Sequence, residues 1–254
     1  MTGAARDDGA RSPAHAFTSA GATLRWERTG GGGPVFVLIH GIGMGRSVFG
    51  DLSAHLGATA DVVEIDLPGY GEAPEPRLVL TMERTADLVA ACLRTHVRTP
   101  VVVVGHSMGS QVALEVAARH PGTVAALVLV GPTVDPAART APRQIWRPLR
   151  DLAIESPRVI VIGAREYLRA GPRLRGKFRA MLAHRPEAVM PRIAAPTLVL
   201  RGEHDLVSPR AWCQTIAATM PDARFAEVSG HGHETMIRDA APAAALILDF
   251  VRSA

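Results

Sequence analysis

The sequence predicts a single α/β domain built on a largely parallel sheet, and three observations predict it. Short aliphatic runs such as Val101-Val102-Val103-Val104 carry no polar alternation, as strands buried on both faces require. Between such runs lie stretches whose apolar residues recur at helical spacing, so strands and helices alternate as in right-handed β-α-β crossovers. The third observation is size: 254 residues, 47% hydrophobic and 20% charged, suffice for one large core.

Taken in order, residues 1–14 are small, polar and charged, without an apolar h-region, and read as a loose tail, not a signal peptide. No apolar run approaches the roughly 18 residues of a membrane span, so a cytoplasmic address is expected. Phe17 to Arg28 reads as the first strand or two. Pro34 to Ile39 is the next buried strand, and it exits into His40-Gly41-Ile42-Gly43-Met44-Gly45. That loop lacks the Gly-Lys-Ser/Thr ending of a phosphate loop and the spacing of a dinucleotide fingerprint. It can still turn backbone N–H groups toward the carboxyl edge of the sheet, with His40 as a brace. Ser47 to Leu56 has a helical apolar face of Val48, Phe49, Leu52 and Leu56. Ala60 to Asp66 is a strand with a sharp exit at Leu67-Pro68-Gly69-Tyr70-Gly71. Asp66 reads as a carboxylate fixing that turn rather than as a catalytic acid. Thr81 to His96 is an amphipathic helix.

The valine strand then runs into Gly105-His106-Ser107-Met108-Gly109, and a helix follows as far as His120, where Pro121-Gly122 stops it. Ser107 therefore stands on a one-residue corner. Glycines on either side relieve the collisions so tight a corner causes. The corner exposes a hydroxyl at the positive end of a helix, with the next backbone N–H available to an oxyanion. A serine that merely caps a buried helix is the bland alternative.

Val124 to Val130 is another buried strand. From residue 135 to 193 the rhythm breaks: seven prolines chop the segment into short helices, which reads as a helical lid inserted after the sixth strand. The core is then 15–134 with 194–254. Trp146, Tyr167, Phe178 and Met181 either line a substrate pocket under this lid or glue its helices together. Between residues 139 and 192 twelve arginines and Lys177 face four acidic residues, a local net charge of +9 where the whole chain carries +4. That segregation permits an acidic partner. The sheet resumes at Pro196 to Arg201, followed by Gly202-Glu203-His204-Asp205, a helix from Arg210 to Met220, and a last strand from Ala223 to Val228. Ser229-Gly230-His231-Gly232-His233 follows it, and the helix Ala241 to Val251 closes the domain. Cys92 and Cys213 fall in predicted helices and imply buried thiols, with no disulfide or metal framework.

Ser107, Asp205 and the His231/His233 pair thus stand at the exits of three parallel strands, which converge on one edge of such a sheet. A serine hydroxyl needs a base, and the base needs a carboxylate to fix its tautomer. With these motifs the chain resembles the α/β-hydrolase superfamily from about Phe17 to its C-terminus. The resemblance implies the α/β-hydrolase fold with Ser107 as nucleophile, Asp205 as acid and His233 as base, since the family's last motif reads Gly-x-Gly-His. It implies an oxyanion hole at the N–H groups of Met108 and Ile42, with Gly43 as fallback for the second, and an acyl pocket bordered by the Ile42 and Met108 side chains. Ser110 stands where many relatives carry glycine.

The implied activity is cofactor-independent and metal-free hydrolysis of a small-molecule carboxylic ester or thioester through an acyl-enzyme on Ser107. The same triad serves hydrolysis of carbon–carbon bonds in diketones, lactone opening and cofactor-free haloperoxidase or perhydrolase chemistry. A slow-turnover ligand receptor is the alternative from another class. An acidic carrier at the basic lid is a further possible partner, whereas nucleic acid is not expected.

Overall fold

A computed structural model of the protein describes residues 14–30, 32–139 and 173–254. Its frame is one eight-stranded sheet, in the order β1-β2-β4-β3-β5-β6-β7-β8. Strands β1 (His15–Ser19) and β2 (Ala22–Thr29) are antiparallel additions, and β2 also pairs antiparallel with β4 (Asp61–Asp66). From β4 through β3 (Val35–Ile39), β5 (Val101–His106), β6 (Val124–Val130) and β7 (Thr197–Gly202) to β8 (Ala223–Val228) every pairing is parallel.

The valine run shows why the sheet is buried on both sides. Side chains alternate along a strand. Val101 and Val103 therefore enter one core cluster, beside α2 (Met82–His96), α3 (Met108–Arg119) and the later helix over Arg210–Thr219. Val102 and Val104 enter the other, against α1 (Gly50–Gly57) and the C-terminal helix over Ala241–Ser253. The helix expected to begin at Ser47 starts instead as a 3₁₀ turn, Arg46–Phe49, and becomes α-helical only at Gly50. At the start of α2 the Thr81 side chain accepts from the Arg84 N–H at 3.3 Å, an ordinary N-cap.

Between β6 and β7 the described residues include α4 (Leu174–Ala183) and the short α5 (Pro186–Val189). We number the two later helices α6 (Arg210–Thr219) and α7 (Ala241–Ser253). The two ends of the inserted segment are joined by Arg139, which donates to both carboxylate oxygens of Glu187 at 2.9 and 2.7 Å. Helix α4 is bound to α3 from below, where Gln111 Nε2 donates to the Met181 carbonyl at 3.1 Å. Buried Glu115 and His184 meet at 2.8 Å. No helix among the described residues is long and apolar enough to cross a membrane.

Candidate active site

Ser107 joins β5 to α3 with φ 54° and ψ −118°, a conformation that non-glycine residues rarely adopt. Close approach explains the flanking glycines. A Cβ on Gly105 would lie 2.6 Å from the carbonyl carbon of Gly109, and one on Gly109 would lie 2.7 Å from the His40 oxygen. The strained corner is held by bonds around it: the Ser107 N–H donates to Val130 O at 2.9 Å, and Ser110 Oγ donates to Gly105 O at 2.7 Å. Ser110 is thus a strut, and its hydroxyl gives it a bond that glycine could not make.

The loop after β3 lies directly against this corner, since a Cβ on Gly41 would stand 3.1 Å from Ser107 Cβ. The Met44 N–H donates to Gly41 O at 3.3 Å, leaving Ile42 and Gly43 as central turn residues whose own N–H groups the turn does not use. Met108 is the first residue of α3, so its N–H is among those without an acceptor inside the helix. His40 holds the loop from behind: Nδ1 donates to Gly41 O at 2.8 Å, and Nε2 accepts from the Leu67 N–H at 3.1 Å. Burial lowers its pKa, keeping it neutral. Asp66 is occupied with the same scaffold, accepting from the backbone N–H groups of Arg46 and Glu72 and pairing with the Arg46 guanidinium.

Asp205, in the loop after β7, is almost fully buried. Its Oδ1 accepts from the N–H groups of Val207 and Ser208, both at 2.8 Å, and its Oδ2 lies 2.9 Å from His233 Nδ1. Burial pushes the carboxyl pKa up, but the charge of His233 and these hydrogen bonds outweigh it and hold the group below its usual range. An ionised carboxylate can only accept, so Nδ1 of His233 carries a proton, and Nε2 is the ring nitrogen that a neutral imidazole has left to accept one. His231 is engaged elsewhere, with ring nitrogens 2.9 Å from Ser229 O and 3.2 Å from Asp239 O.

Against Met108, the residue after Ser107, lies an apolar cavity lined also by Leu67, Tyr70, Leu80, Val112 and Lys177, among others; Ser107 itself is not one of its lining residues. Of the two side chains expected at an acyl pocket, Met108 lines this cavity, whereas Ile42 packs against the core and is not among its lining residues. Met181 is buried in the core and Phe178 packs against the same cluster, so the described cavity takes neither as a wall. The face α4 turns to the domain is set by its bonds to α3. Trp146 and Tyr167 lie outside the described residues. The polar wall is Lys177, which reasoning from sequence missed: its ammonium donates to Glu75 at 2.8 Å and to Gly69 O, and stands 4.3 Å above the Tyr70 ring. Both cysteines are buried, and burial pushes each thiol up to about 12.

A family model described as the alpha/beta hydrolase family matches residues 36–246. The chain belongs to that family. The pimeloyl-[acyl-carrier protein] methyl ester esterase of Chromobacterium violaceum is 30% identical to this α/β hydrolase over 258 residues, covering 88% of this chain and 93% of that one. A protein of the same name from Neisseria meningitidis is 47% identical over 92 residues, a stretch that spans 36% of this chain and 28% of its relative. Among solved structures, a thermophilic esterase from Thermogutta terrifontis superposes with a TM-score of 0.79 at 25% identity, covering 96% of this chain and 98% of that one. The enol-lactonase of Burkholderia xenovorans LB400 has the same fold, with a TM-score of 0.79 at 22% identity over 94% of this chain and all of that one.

Proposed function

We propose that this α/β hydrolase is a serine esterase that cleaves a carboxylic ester or thioester through an acyl-enzyme on Ser107. The observation that carries the reading is the 2.9 Å bond between Asp205 and His233 at the same sheet edge as the strained Ser107 corner. Nε2 of His233 takes the Ser107 proton as the hydroxyl attacks the acyl carbon, and the imidazolium then protonates the leaving alcohol or thiol. The N–H groups of Met108 and Ile42 receive the oxyanion; donors of this type are each worth on the order of 10²–10³ in kcat. Water activated by the same histidine releases the acid.

The cavity beside Met108 takes the acyl chain, and its aliphatic walls favour an apolar one. The segment between β6 and β7 acts as the lid over it. An acyl chain presented by an acidic carrier protein is the substrate form that the basic segment suits, and the names of the relatives from Chromobacterium violaceum and Neisseria meningitidis support it. The test is hydrolysis of a chain-length panel of chromogenic esters by wild type and Ser107→Ala. A loss of roughly 10⁴-fold or more in kcat is expected, with a clear optimum in chain length. Equal rates for the two proteins would overturn the reading.

A further inference from the structure

The histidine preceding Ser107 is fully buried and takes no part in the chemistry above. Its Nε2 lies 3.0 Å from the carbonyl oxygen of His233, 127 residues away in the chain. A carbonyl only accepts, so Nε2 of His106 carries the proton and donates it. Nδ1 is then a bare acceptor, buried and without a partner among the described residues. Burial first, and then the charge of His233, push the pKa of His106 down to about 3, so the ring is neutral. The two imidazoles stand 4.9 Å apart between centroids.

An unpartnered ring nitrogen in the core is a cost that an apolar residue at position 106 would not carry. What the histidine supplies in return is the bond from its other nitrogen. That bond completes a pattern in the loop after β8, where three successive carbonyls each accept a hydrogen bond. His231 O accepts from the His204 N–H at 2.8 Å, and Gly232 O accepts from Thr235 Oγ1 at 2.7 Å. His233 O accepts from His106. The first donor immediately precedes Asp205, and the third immediately precedes Ser107.

We infer that His106 is a positioning residue for His233. This rests on the reading of Ser107 and His233 as nucleophile and base. Asp205 fixes the rotation and tautomer of the His233 ring, but where the ring stands relative to Ser107 depends on the backbone at residue 233. That backbone belongs to a loop with glycine at 230 and 232, which is soft unless held. His106 ends a strand in the middle of the sheet and ties the loop to the same rigid strand that carries Ser107. Because the tether is neutral, it does not repel the imidazolium formed at His233 during turnover.

The test compares His106→Gln, which keeps a donor at similar reach, with His106→Leu and His106→Phe, which remove it. On an ester that wild type hydrolyses, kcat, KM, the rate of Ser107 labelling by a fluorophosphonate and the thermal midpoint are measured. Ser107→Ala and His233→Ala are assayed in parallel. The apolar variants are expected to lose roughly 10- to 100-fold in kcat, with KM changed less than about threefold and labelling slowed in step. His106→Gln is expected to recover most of the loss. A folded Leu or Phe variant with wild-type kcat overturns the inference, as does a Gln variant no better than Leu. Should both apolar variants fail to fold, His106→Asn, whose amide is too short to reach, replaces them, and kcat equal to that of Gln overturns it. If Ser107→Ala and His233→Ala stay as active as wild type, the catalytic reading itself fails, whatever position 106 does.

Discussion

Gly131 follows β6 with φ +52°, and a Cβ there would lie 2.9 Å from both Cε1 and Nδ1 of His233 and 3.1 Å from Asp205 Oδ2. Gly131→Ala should therefore add about 1–2 kcal/mol of backbone strain and also push the imidazole off its carboxylate. Assays of kcat beside thermal melts should show at least a roughly tenfold loss of kcat, more than the change in midpoint accounts for. Asp205→Asn keeps the shape but lets Nδ1 accept instead of donate. Its kcat should fall about 10⁴-fold, and a variant within tenfold of wild type would contradict the role given to Asp205. In the sequence Gly131 is only the end of an aliphatic run. The need for glycine arises where residues 205 and 233 meet, and local spacing does not report that meeting. Ser107 is legible for the opposite reason: its strain is local, so the glycines that relieve it are neighbours in the chain.

Helix α4 meets the domain through polar bonds that its own pattern does not announce. Lys177 reaches Gly69 and Glu75, Gln111 reaches the Met181 carbonyl, and His184 pairs with Glu115. Removing one partner of a buried hydrogen bond leaves the other unsatisfied, so Glu115→Ala should destabilise the protein by about 2 kcal/mol. Urea unfolding measures this, and a change below 1 kcal/mol would mean that His184 finds another partner. Lys177→Met keeps the aliphatic stem while removing the polar wall of the cavity. The preferred acyl chain should become longer or KM for apolar esters should fall, as read from the chain-length panel. From the sequence, short helices cut by prolines are expected between β6 and β7, and among the described residues α4 and α5 lie there. Which side of α4 meets the cavity depended on what α2, α3 and the 68–76 loop offer it, so Phe178 and Met181 went to the core and Lys177 to the wall.

For the molecule as a whole, charge and buried histidines set how solution conditions act on it. If the basic segment receives an acidic carrier, turnover of carrier-bound substrate should fall steeply with salt while turnover of a small neutral ester does not. Equal salt dependence would remove the carrier from the proposal. His40 and His106 both have folded pKa values below the ordinary 6.5, the latter at about 3. In the window between, the unfolded chain binds protons that the folded chain refuses. Stability is therefore complete above about pH 6.5 and declines as pH falls below it, for His106 by about 1.4 kcal/mol per pH unit until the pH nears 3, and His40 adds a loss in the same direction. Asp205, held below its ordinary range, adds a loss in the same direction at still lower pH. Denaturant melts at pH 7, 5.5 and 4 should show the decline, and His106→Gln should flatten it by one proton's slope.

The sequence by itself determined the layers and the candidate triad. Burial on both faces of a strand, the glycines of a tight corner and the stop signals of helices are short-range demands, written in consecutive residues. The strand order, the packing of α4 on the sheet's helices and the bonds that hold the loop after β8 belong to the tertiary structure alone. They arise where parts of the chain far apart in sequence come together, as His106 and His233 do across 127 residues. At such a contact each residue is chosen for a partner that its own neighbours do not reveal.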